Sequence, residues 1–135
     1  MLYKRPELEG ELALADKRLK SILTDLNEFC HDHDWGPILV THVMRTQKKH
    51  TKMYEKVDKQ QWISRSPHCD GRAADIRSRE YSPKQINMIV DYLNDKYRKG
   101  WKYPVALYHT VKYSGGSHGQ HIHIQVKRNP NGQMA

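Results

Sequence analysis

Long apolar runs are missing from this chain. No window of its 135 residues approaches the roughly 18 consecutive apolar side chains of a membrane-spanning helix. The opening stretch, MLYKRPELEGELALADKRLK, scatters charges where a secretory signal would carry its apolar core. We therefore expect a chain made and folded in a cytoplasm, with no membrane insertion. Cysteine is scarce as well. Cys30 and Cys69 are the only two, and neither lies in a C-x-x-C pair. That excludes a disulfide framework and leaves both as small buried thiols. Acidic residues are outnumbered, 15 Asp and Glu against 23 Lys and Arg, for a formal net charge of +8. Such an excess points to a polyanionic partner: nucleic acid, a membrane face or an anionic cell wall. Internal repeats and low-complexity tracts are absent too. The length suits one domain, residues 1–128, followed by a flexible tail, 129–135.

Apolar periodicity supplies the elements. Leu8, Leu12, Ala15, Leu19, Ile22, Leu26 and Phe29 recur at steps of four and three, which predicts one long amphipathic helix over residues 6–31. Residues 38–44, ILVTHVM, read as a buried strand running into Arg45 and a polar stretch over 46–61. A short strand is expected near 73–76. Ser82-Pro83-Lys84-Gln85 opens a second helix with an N-cap serine, proline in the first turn and glutamine three residues after the cap, and Gly100 ends it. A hairpin follows, with strands over 105–111 and 121–126 and a glycine-rich loop over 114–119. This order predicts an α+β domain, a small antiparallel sheet with helices packed on one side.

Nine histidines remain to be explained. In a strand, residues two apart share a face, so His121 and His123 stand together while Ile122 and Ile124 point the other way. His31 and His33 have the same spacing at a helix end, where it separates them, and they are better placed to offset the helix dipole. Upstream, SPHCDGRAADIRSR over 66–79 holds His68 and Asp75 around a glycine and small residues. Gly71 permits a sharp turn, and Ala73 and Ala74 permit close approach of neighbouring strands. Two histidines, one carboxylate and a position open to water are the ligand set of a catalytic zinc site. Spacing alone leaves another arrangement standing, with His68 capping a loop, Asp75 paired to Arg72 or Arg77, and the strand histidines on the surface.

Ser66, His68, Gly71, Ala73 and Asp75 fit the signature S-x-H-x-x-G-x-A-x-D, and the chain here resembles the zinc D-Ala-D-Ala carboxypeptidases and L-alanyl-D-glutamate endopeptidases. That family includes phage endolysins and shares its fold with the Hedgehog signalling domain. The resemblance implies Zn2+ held by His68, Asp75 and His123, with His121 of the His-x-His strand near the scissile bond as the proton-handling group. It also implies an arginine after the first strand that stabilises the oxyanion, a place taken here by Arg45. Two departures stand out. His42-Val43-Met44-Arg45 replaces the usual Ser-Gly-Tyr-Arg, and Gln120 occupies a position where many members carry an acidic base. Glutamine cannot take a proton from water.

The expected activity is zinc-dependent hydrolysis of an amide bond in peptidoglycan stem peptides. The enzyme would be a monomer, acting at the cell wall after release and encoded by a phage. Two alternatives are kept. In one, the histidines form the metal site of a nuclease that cuts single-stranded DNA with Tyr92 or Tyr97, which would make nucleic acid a partner. In the other, Gln120 marks an inactive, metal-stabilised module that binds wall or polyanion through residues 45–59.

Overall fold

The computed structural model describes residues 1–43, 71–109 and 120–127. Arg45, Ser66, His68, Cys69 and His118 lie outside the described residues, as do the polar stretch 46–61, the hairpin loop 114–119 and the tail.

The apolar stripe near the N-terminus forms two helices rather than the single one expected. Helix α1 spans Glu7–Ala13 and α2 spans Lys17–Asp32. The stripe is buried from Leu8 and Leu12 through Ala15 to Leu19, Ile22 and Leu26, and its last member, Phe29, is partly buried against the core. Periodicity therefore identified the face but not the break, which Asp16 makes. Its backbone is extended (φ −56°, ψ 130°) and its carboxylate accepts the Arg18 amide at 2.9 Å, as an N-cap does. The Asp16 amide, freed from any helix, donates to the Gly71 carbonyl at 2.9 Å. Gly71 has φ 66°, so the turn foreseen at this glycine exists and also anchors the helix junction.

Among the described residues five strands form one open sheet in the order β1-β2-β3-β5-β4. They are β1 (Leu2–Tyr3), β2 (Leu39–His42), β3 (Ala73–Arg77), β4 (Ala106–His109) and β5 (His121–Gln125). The β2–β3, β3–β5 and β5–β4 pairs are antiparallel, and β1 adds to the edge in parallel with β2. Two residues are too few to show alternation, which is why β1 was not foreseen. The third helix, α3, spans Pro83–Tyr97. Its capping box is complete, with Ser82 Oγ accepting from the Gln85 amide and Gln85 Oε1 accepting from the Ser82 amide.

All three helices lie on one side, as expected of this α+β domain. Ala74 and Ile76 of β3, Ile122 and Ile124 of β5 and Val40 of β2 pack with Leu8, Leu19, Leu26, Ile89 and Leu93 in one core. Ile122 and Ile124 are each 0% exposed. Burying each stabilises the fold by roughly 1.5–3 kcal/mol. A one-residue slip of β5 would exchange them for histidines, so the apolar pair fixes the register and thereby fixes where His121 and His123 point.

Candidate functional site

The sheet face opposite the helices carries a row of polar side chains. Asp75, the middle residue of β3, pairs in register with His42 of β2 on one side and His123 of β5 on the other. Its carboxylate Oδ1 lies 2.8 Å from His123 Nδ1 and 3.8 Å from His121 Nε2, and its Oδ2 lies 4.0 Å from His42 Nδ1. Asp75 is 9% exposed. A carboxylate so far withdrawn from water requires partners of opposite character, and the imidazoles supply them. The strand histidines are not surface residues, since their side chains are 16% and 14% exposed.

His42 reaches this row through a β-bulge. Val40 pairs with Ile76 and His42 with Asp75, so β2 advances two residues while β3 advances one. Without the extra residue His42 would share the buried face of Val40. Thr41 pins the irregularity by donating its hydroxyl to the Asp75 carbonyl at 3.2 Å. A bulge leaves no mark in alternation, so the sequence did not disclose His42 as a neighbour of Asp75.

Behind His123 stands Gln125, the next residue on the same face. Gln125 Nε2 donates to the Pro104 carbonyl at 2.9 Å, which turns its Oε1 toward His123 Nε2 at 3.2 Å. Each ring nitrogen of His123 thus faces an oxygen, Nε2 the Gln125 amide and Nδ1 the Asp75 carboxylate. His123 Nδ1 lies 2.8 Å from Asp75 Oδ1. An Nδ1 proton donated to the carboxylate satisfies this contact, and a metal ion held by both atoms would take that proton's place. One imidazole nitrogen and one carboxylate oxygen, with Gln125 behind the imidazole, are two donors of the types zinc accepts. The alternation H-I-H-I-Q was legible and could have identified Gln125. Among the described residues no three His, Cys, Asp or Glu side chains form a metal-holding group. Two of the expected ligands, Asp75 and His123, are adjacent, and the third, His68, is outside the described residues.

Arg77 sits across from His121 in register at the end of β3. Its guanidinium pairs with Glu80, while its buried Nε has no hydrogen-bond partner among the described residues. The pairing of Asp75 with Arg77 considered from spacing is thus replaced by Arg77 with Glu80 and Asp75 with His123. Gln120 Oε1 accepts the Tyr108 hydroxyl at 2.9 Å. His33, at the C-terminal end of α2, has Nδ1 2.8 Å from the Phe29 carbonyl, the helix-end role expected of it.

Tyr92 and Tyr97 belong to the opposite layer. Both hydroxyls donate to Asp25 of α2, and Lys96 Nζ joins them 2.8 Å from the same carboxylate. Burial and the Asp25 contact push the Tyr97 hydroxyl up to about 12. The sheet stands between these tyrosines and the histidine face. Cys30 is fully buried beside the Tyr81 hydroxyl, where burial raises its thiol pKa. No helix among the described residues is long and apolar enough to cross a membrane. No protein-family model matches the chain, and neither curated proteins nor solved structures yield a match.

Proposed function

We propose that this protein is a zinc-dependent peptidase that hydrolyses an amide bond in peptidoglycan stem peptides. The observation that carries the reading is the facing pair of Asp75 and His123. They are 48 positions apart in sequence, yet a nitrogen of one and an oxygen of the other meet at 2.8 Å on the sheet face opposite the helices. His68, Asp75 and His123 would hold the ion. Zinc in such a site supplies a Lewis acid for a carbonyl oxygen and lowers the pKa of water.

The chain's own residues do the rest. His121 shares the face of His123 and takes the proton from water, then returns one to the leaving amine. A strand fixes its imidazole better than a loop would, which favours it over His118. Gln120, engaged by Tyr108, cannot replace it. Arg45 steadies the oxyanion, and the net charge of +8 brings the enzyme to a wall rich in carboxylates and phosphates. Cell-wall lysis in a phage context suits this activity, with the protein acting after release from the cytoplasm. The nuclease alternative is weakened because Tyr92 and Tyr97 are committed to Asp25 on the helix layer.

Digestion of purified sacculi, with mass spectrometry of the soluble fragments, tests the proposal. The wild type should release stem-peptide fragments with new amino termini, and Asp75→Asn should not. A protein that binds one zinc per chain and releases no new amines would overturn the peptidase reading and favour the binding module.

A further inference from the structure

A second concavity lies away from the histidine face, where the start of α2, the end of α3 and the exit of β5 converge. This cleft has a volume of ≈ 410 Å³, within the range of small-ligand sites. Its floor is apolar. Ile22, Val105 and Val126 line it and are 3%, 2% and 4% exposed. Trp101 and Tyr97 contribute aromatic walls. Its rim is cationic, with Arg18, Arg98, Lys99 and Lys127, and no carboxylate lines it among the described residues.

The four cations are not equivalent. Arg18 is neutralised by Asp16 at 2.7 Å and donates to the Lys127 carbonyl at 2.6 Å, so it builds the wall. Arg98 is held rigid by donating to the Trp101 and Lys102 carbonyls, each at 2.9 Å, contacts that leave its charge uncompensated. Lys99 and Lys127 are exposed and have no ion-pair partner among the described residues. An apolar, aromatic-walled floor beneath a rim with three unopposed positive charges calls for a matching ligand. We propose that this cleft binds a small molecule with a flat apolar body and one anionic group, a phosphate or a carboxylate. The body would lie on Ile22 and Val126 beside the Trp101 ring, and the anion would meet Arg98, Lys99 and Lys127. This inference is independent of the proposed reaction.

Titration of the isotope-labelled full chain, followed by nuclear magnetic resonance, tests it with adenosine monophosphate and naphthoate as probes. Adenosine and inorganic phosphate serve as the separated halves of the first probe, naphthalene and acetate as those of the second. Either intact probe should move the backbone amides of residues 98–101 and the Trp101 indole. It should also bind at least about tenfold more tightly than either half. Adenosine monophosphate alone would assign a phosphate head, naphthoate alone a carboxylate. Lys99→Glu combined with Lys127→Glu, both at exposed positions, should weaken binding at least about tenfold while the spectrum stays folded. The proposal is overturned if neither probe moves these signals, if the shifts map to the histidine face, or if the double variant binds like the wild type.

Discussion

Asp75 and His123 face each other across the β3–β5 pair with Oδ1 and Nδ1 2.8 Å apart, while Gln125 holds the far side of the same imidazole. Backbone register sets this relationship, because the residues are directly paired and the buried isoleucines on either side of His123 leave no alternative alignment. The site therefore inherits the rigidity of the sheet centre.

Gln125 should matter to metal binding without being a ligand. Gln125→Ala removes the oxygen that faces His123 Nε2 from behind, and zinc affinity should fall by about 10–100-fold. Competition with a chromophoric chelator measures it. An unchanged affinity would show that the ring is oriented by something else.

His121 and His123, neighbours on one face, should separate by function. His123→Ala should lose zinc and turnover together. His121→Ala should keep zinc and lose about 100-fold or more in turnover, the range of a proton-handling group. Equal loss of metal in both variants would assign His121 to the ligand set.

Asp25 clamps α2 to α3, and its titration should appear in acid stability. Burial alone would raise its pKa, but hydrogen bonds from Lys96, Tyr97 and Tyr92 prevail and hold it below the ordinary 3.8. A carboxylate depressed in the folded state contributes stability that is complete above the unfolded value and lost as pH falls through the folded one. Asp25→Asn should cost roughly 1–3 kcal/mol at neutral pH and flatten the loss of stability below about pH 4. Denaturant unfolding across acid pH checks both. Asp16, also depressed and bound to Arg18, should leave a residual acid limb in the variant.

Gly71 should resist substitution by a residue with a side chain. At φ 66° an alanine pays the left-handed penalty of about 1–2 kcal/mol. Gly71→Asn should be milder, since asparagine tolerates that region. Thermal unfolding of the two variants gives the order, and equal stability of Gly71→Ala and wild type would mean the turn is not held as described.

The sequence made parts of this fold legible and concealed others for identifiable reasons. The Ser82 capping box, the buried stripe of α3 and the alternation of His121 to Gln125 are local signals, and each element formed where its signal lay. Asp16 was harder to recognise. A helix break placed inside a continuous apolar stripe depends on the distant Gly71 carbonyl that receives its amide. Strand β1 was too short to show a period. His42 was hidden by the bulge, which no pattern of residue types reports. Of the expected site, the Asp75–His123 contact could be inferred as convergence but not as register. The register follows from sheet order, with β5 inserted between β3 and β4.

The most direct test of a shared divalent cation is zinc-edge X-ray absorption on the purified full chain. One zinc per chain should be surrounded by nitrogen and oxygen donors at about 2.0–2.2 Å, including two imidazoles. A sulfur shell at about 2.3 Å would bring in a thiolate ligand such as Cys69, and a zinc-free protein would remove the metal altogether. Either result would contradict assignment of His68, Asp75 and His123 as the ligands.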